Sequence, residues 1–397
     1  MAAFLPPLIG ELAWPLAVAL AWIVGEIGHR FTSLPRISLY GLVGFALGSA
    51  QLGWLPQSPS GSTMLLANIA FGLILFEFGY RVNLRWLRIN PWIGVTGVVE
   101  AVATFSLVYL CAVGFGTPVL TSLLIASLAM STSPAAIMRV VNEERSSGQL
   151  TERLVHLTAV NCVLAVFVFK VVVGFWTFQT SGSVWQAVSN SLVELAASSA
   201  LGAAFGVALP ALLRRMGRVT HDPTVGFAIG VILAVAIAHT FKISPVLAAL
   251  TFGFVARHRR VVMNRAQRGF GALGDLLVVL LFVFVATTIE WDRVWLGFGL
   301  ALALVAIRLV TKVTVVAGFA YVSGASWRKG ALTGLAMTPI SVFAILLLEQ
   351  TRYVGVDLVD LLAPLAATTL LLELVGPVVT QRALMLAGES AEAAPRN

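Results

Sequence analysis

Ser131-Thr132-Ser133-Pro134-Ala135 lies inside one apolar stretch of this chain, and Thr338-Pro339-Ile340-Ser341 inside another. A membrane helix has no water to satisfy backbone groups it fails to pair. A break there is tolerated only where it is buried in protein or lines a cavity. Pro134 and Pro339 each remove a backbone donor and push the preceding residue out of the helical region. Both stretches are therefore read as broken helices. The hydroxyls beside the prolines, on Thr132, Ser133, Thr338 and Ser341, become candidate lining groups.

The composition around the breaks fits that reading. Of 397 residues, 58% are hydrophobic and only 11% charged, which excludes an ordinary soluble domain. Thirteen apolar segments run roughly over 8–28, 38–55, 63–80, 93–115, 118–142, 154–178, 188–213, 224–241, 244–256, 274–289, 294–322, 331–348 and 358–381. Most approach the roughly 20 residues that a spanning helix needs. The expectation is an all-α polytopic membrane protein with thirteen transmembrane helices.

The two breaks fall in the fifth and twelfth segments. The chain then divides into a first repeat over about 8–178, a linker helix over about 188–213 and a second repeat over about 224–381. An odd offset of seven segments makes the two repeats opposite in orientation. Paired interruptions in inverted halves are the sequence sign of a secondary transporter, with the two broken helices crossing near the bilayer centre.

The net charge of +8 follows from topology and implies no nucleic-acid partner. Arginine crowds one set of alternating loops, from Arg30, Arg36, Arg81 and Arg145 to Arg257, Arg328 and Arg382. The other set holds Lys242, Arg293 and Arg352. The excess of cations belongs on the cytoplasmic side. The N-terminus is thus expected outside and the C-terminus in the cytoplasm, in the plasma (inner) membrane. Residues 1–382 would form the membrane domain and 383–397 a short disordered tail. The first segment lacks a basic leader and cleavage site and is read as a retained span. Cys111 and Cys162 lie within segments and imply no disulfide framework. No nucleophile, base or metal cluster gathers on the loops, so neither an enzyme nor a cofactor or metal site is expected.

Several stretches, in order, resemble the monovalent cation/proton antiporter superfamily, the sodium/proton exchangers. They are Leu34-Pro35-Arg36-Ile37 leading to Gly41, Gly44 and Gly48, and Leu75-Phe76-Glu77-Phe78-Gly79 with Asn83-Leu84-Arg85. The break at Ser131 to Ala135, Ser244-Pro245-Val246-Leu247, Gly274-Asp275-Leu276 and the stretch from Ala331 to Phe343 complete the set. The resemblance implies a homodimer exchanging a monovalent cation, sodium or potassium, for protons. An elevator-type movement of a core (segments 4–6 and 11–13) against a scaffold (segments 1–3 and 8–10) would carry it out.

The same resemblance exposes a departure. Most of these antiporters carry Asn-Asp or Asp-Asp in the sixth segment, and the second residue takes the cation or the proton. Here the pair is Asn161-Cys162. A buried thiol stays neutral and is a poor ligand for a hard cation. The candidate ion-binding set is therefore Glu77, Thr132, Ser133, Asn161 and Cys162, with Glu77 as the remaining carboxylate. Arg308 and Lys312 share one helix face and need counter-charges. Glu100 and Glu373 are the further acidic residues read with them as core charge balance. With the aspartate missing, an anion or organic-acid transporter, or a transport-inactive sensor on the same fold, is the alternative.

Overall fold

The computed structural model describes residues 5–49, 51–55, 61–177, 184–215, 223–259, 270–287, 291–340 and 363–390. Every regular element among them is a helix. In chain order these are α1 (Leu5–Thr32), α2 (Arg36–Leu47), α3 (Gly61–Arg81), α4 (Leu84–Ile89), α5 (Pro91–Gly114), α6 (Val119–Ala129), α7 (Pro134–Glu143) and α8 (Gln149–Thr177). There follow α9 (Val184–Arg215), α10 (Thr224–Thr240), α11 (Pro245–Arg257), α12 (Gly271–Thr287), α13 (Trp291–Gly318), α14 (Trp327–Ala336) and α15 (Ala363–Leu386). Six stretches among the described residues are long and apolar enough to cross a membrane, including Pro91–Gly114, Gln149–Trp176 and the interrupted Val119–Glu143. Large apolar side chains such as Leu16, Trp22, Leu110 and Trp185 face outward, as a lipid-bathed surface requires.

The helices begin where their caps dictate. Ser133, extended at φ −74°, accepts from the Ala136 N–H at 3.2 Å, and Pro134 follows at the first helical position. The same serine–proline start opens α11 at Ser244. Pro at that position loses no intrahelical bond and is pre-set for the helix. The sequence did not announce α4, a short helix capped by Asn83. Helix α15 runs past position 382, where the sequence reading ended the membrane domain. Ala383 and Leu384 are fully buried, and Glu389 and Ser390 nearly so. The Glu389 carboxylate accepts from the backbone N–H groups of Leu150 and Thr151 at 2.8 and 2.9 Å, capping the N-terminus of α8.

Packing sorts most helices into two groups. Helices α5, α6, α7, α8, α13, α14 and α15 pack on one another, and so do α1, α2, α3, α10, α11 and α12. The main contacts between the groups are α2 with α15, and α3 with α7 and α8; α9 touches both. The second group closes tightly where α3 crosses α11. A Cβ on Gly79 would lie 2.1 Å from the Leu250 carbonyl oxygen, and one on Gly253 would lie 2.0 Å from that of Phe76. Only glycine permits that approach. Phe76 meets Phe252 edge-on at 4.8 Å beside the crossing.

Candidate ion-binding site

The first break is a sharp end of α6. Residues 131–133 leave the helix, and α7 restarts at Pro134. At the second, α14 ends at Ala336, and residues 337–340 are non-helical. Ser341 and the rest of the twelfth segment lie outside the described residues. The two breaks touch, because the Ser133 N–H donates to the Pro339 carbonyl at 3.0 Å. Thr338 and Pro339 thus face the first break directly. The carbonyl ends of α6 and α14 converge, and each carries partial negative charge.

Arg308, on α13 and 1% exposed, answers both ends. Its Nε donates to the Ala129 carbonyl at 2.8 Å and its Nη2 to the Ser131 carbonyl at 2.7 Å. Nη1 donates to the Thr338 carbonyl, and Nη2 also reaches Met337 and Pro339. The planar fork is suited to satisfying several acceptors at once. Its charge is thereby committed to backbone oxygens of the two breaks.

One turn on, Lys312 takes the other role. Its Nζ lies 2.7 Å from Glu100 Oε1 in a pair that is wholly buried. It also donates to Thr132 Oγ1 at 3.2 Å and approaches the Met130 carbonyl at 3.4 Å. Glu100 Oε1 accepts from Thr104 Oγ1 at 2.7 Å, and Oε2 accepts from Asn161 Nδ2 at 2.6 Å. Asn161 Nδ2 reaches Thr132 Oγ1 as well, at 3.3 Å. Cys162 Sγ donates to the Thr132 carbonyl at 3.3 Å. The side chain of Ser133 caps α7 instead of joining this cluster.

The cluster thus holds a carboxylate, an ammonium, hydroxyls and an amide beside a helix break. Asn161 Oδ1 and, one turn before it, Thr158 Oγ1 are buried and have no hydrogen-bond partner among the described residues. Open oxygens next to a carboxylate suit a hard cation. Among the described residues, no group of three His, Cys, Asp or Glu is placed to hold a metal ion.

The sequence grouped Glu77 with this set, and the structure separates them. Glu77 accepts from Asn142 Nδ2 at 2.9 Å and pairs with Arg81 at 3.5 Å, while Arg81 also bonds Asn142. It lines a different cavity of about 600 Å³ between α3, α7 and α12, bordered by Ala135, Arg139 and Asp275. The reason is geometric. Glu77 sits one turn from the end of α3, level with the far end of α7, whereas the break lies at the start of α7. Glu373 likewise makes no ion pair with Arg308 or Lys312, which are engaged with the break carbonyls and Glu100. It is buried on α15, and its carboxyl has no partner among the described residues. Glu100 alone of the acidic candidates supplies counter-charge at the breaks. The sequence carries a sign of it, because Thr104 stands at the i+4 position on the same helix face.

The family profile of the transmembrane sodium/hydrogen exchanger matches residues 16–386. The chain belongs to the sodium/hydrogen exchanger family. This is a family of antiporters, not enzymes. The exchanger is 26% identical over 350 residues to the ammonium/H(+) antiporter subunit AmhT of Alkalihalophilus pseudofirmus, covering 84% of each chain. It is 22% identical over 357 residues to the iron transporter MagA of Paramagnetospirillum magneticum, covering 87% of this chain and 79% of that one. Its fold is similar to the sodium proton antiporter MjNhaP1 of Methanocaldococcus jannaschii, solved at pH 8. The TM-score is 0.63 at 16% identity, over 98% of both chains.

Proposed function

We propose that this exchanger trades a monovalent cation, sodium or potassium, for protons at the Glu100–Lys312 pair. The observation that carries the reading is the 2.7 Å contact between the two, fully buried beside the break at Thr132. Family membership supports cation/proton exchange, and the pair supplies a way to couple the two ions. With no cation bound, Lys312 carries a proton and neutralises Glu100. An entering cation takes the carboxylate oxygens, together with Asn161 Oδ1 and the Thr132 hydroxyl. Lys312 then loses its counter-charge, and a buried ammonium without one is costly, so its proton leaves. Both loaded forms of the pair are neutral, so the pair by itself trades one proton per cation.

The cavity along α7 reaches Ala135, two residues past Ser133. It serves in this reading as the water-filled approach from the basic, cytoplasmic side. The two packing groups suit an elevator-type movement of α5–α8 and α13–α15 against the rest. A homodimer in the plasma membrane with its N-terminus outside completes the proposal. An anion site would need an unengaged cation at the breaks, yet Arg308 is held by carbonyls and Lys312 by Glu100. The anion alternative therefore loses its motive.

The test is flux in proteoliposomes under an imposed pH gradient, with sodium, potassium, lithium and ammonium compared and chloride and acetate as controls. Movement of an alkali cation against protons, absent in protein-free vesicles, is the expected result. Movement of an anion alone overturns the proposal. Cys162→Ala should keep flux close to the parent's, because the neutral thiol only bonds one carbonyl. Loss of flux in that variant would mean the thiol takes part directly.

A further inference from the structure

Helix α15 carries a carboxyl for which exchange at Glu100 has no use. Glu373 is 6% exposed, and neither of its oxygens has a hydrogen-bond partner among the described residues. Thr369, four residues earlier and 1% exposed, has an unpartnered hydroxyl too. Residues at i and i+4 share a helix face. Two buried, unsatisfied polar groups therefore stand one turn apart.

Among the described residues, the surroundings offer no counter-charge. Helix α15 packs on α13, α14, α2 and α7. On α13, Arg308 holds the break carbonyls and Lys312 holds Glu100. On α14, Lys329 pairs with Glu389, and Arg328 donates to the Leu386 carbonyl. On α2, Arg36 pairs with Glu26 and Glu143, and the Tyr40 ring crowds Gly25 of α1. On α7, Arg139 pairs with Asp275 and Glu143 with Arg36; Glu144, just past its end, accepts from Gln381 and Ser390. Facing Glu373 on α2 is Gly41, where a Cβ would lie 4.0 Å from Glu373 Cγ. Ser38 is engaged with the Leu374 carbonyl at 2.9 Å.

A bare carboxylate there would be expensive. A dehydrated metal cation needs several oxygen ligands, and among the described residues this face offers one unpartnered carboxyl and one unpartnered hydroxyl. A proton needs one oxygen and no volume. We propose that Glu373, seconded by Thr369, is a second proton-binding site of this exchanger, distinct from the Glu100–Lys312 pair. It holds its proton while Lys312 holds its own and is empty in the cation-loaded form, giving the proton up where movement of α15 against α2 exposes it. The contact of α2 with α15 is one of the few between the two helix groups. Relative movement of the groups therefore renews the surroundings of Glu373 and admits water, where the acid ionises and its proton leaves.

This inference rests on the exchange reading and changes its charge balance. The Glu100 pair alone gives one proton per cation; with Glu373 the ratio becomes two, and exchange moves net charge. The test uses the full chain in proteoliposomes, with flux reversal measured at set membrane potentials. The parent should show two protons per cation. Glu373→Gln, shaped like the protonated acid, should keep exchange at one to one and lose its response to potential. A parent ratio of one, or a ratio of two that survives Glu373→Gln, overturns the proposal.

Infrared pH titration reads the same group without transport. A protonated-carboxyl band should titrate in the parent and vanish in Glu373→Gln; an unchanged band spectrum in that variant refutes the site. Thr369→Val covers the case in which Glu373→Gln does not fold. It should move the midpoint of that band, and an unmoved midpoint counts against the site. Full flux in Glu100→Gln would instead overturn the exchange reading, and the infrared result would still decide Glu373.

Discussion

Glu100→Gln should bring cation/proton exchange down to the level of protein-free vesicles. The variant keeps the shape of the side chain and its bond from Thr104, but removes the negative charge that both Lys312 and a cation need. It also strands a buried ammonium, and breaking such a pair by removing one partner costs about 3–5 kcal/mol. Lower thermal stability is expected alongside the lost flux. Glu100→Gln with Lys312→Met separates the two effects. The double variant should recover stability, because no charge is left unpaired, and still carry no cation. Glu77→Gln is the contrast. It loosens the link to Asn142 and Arg81 across α3 and α7, so the rate should fall only in part with the cation-to-proton ratio unchanged. Flux that persists in Glu100→Gln and vanishes in Glu77→Gln would return the ion site to Glu77.

The class of fold was legible because a bilayer leaves few options. Long apolar helices, alternating basic loops and two prolines beside hydroxyls point to one architecture. The touching of the breaks at Ser133 and Pro339 follows from the same two motifs. The carboxylate proposed to work at the breaks, Glu100, was not legible in the same way. Position 162 looked like a loss, and the motif around Glu77 drew the search to the end of α3. Chain order does not reveal that Glu100, 61 residues before Asn161, lies against its amide. That contact depends on the packing of α5 on α8, and sequence spacing carries no distance across helices. The role proposed for Glu373 was hidden for a related reason. An acidic residue inside a span demands a partner or a proton, and only the packed structure tells which.

Arg308→Met should be the most destabilising single change in the chain's centre. The substitution keeps an apolar stem of similar reach but removes every donor. Five carbonyls, of Ala129, Ser131, Met337, Thr338 and Pro339, then lose the same partner. Each buried acceptor left unsatisfied costs about 1–3 kcal/mol, although local relaxation recovers part of the sum. A loss of at least about 3 kcal/mol is expected, seen as a clear drop in the thermal unfolding midpoint in detergent or nanodiscs. Arg308→Lys should recover only a fraction. An ammonium is a point donor and cannot fork across the ends of two helices at once. The second consequence is functional. Arg308 fixes the ends of α6 and α14, and those ends place Thr132 beside Glu100 and Lys312. Arg308→Lys should therefore bind the cation more weakly, raising the half-saturating cation concentration more than it lowers the maximal rate. An Arg308→Met protein that unfolds at the parent's midpoint would show that the breaks hold together without this guanidinium.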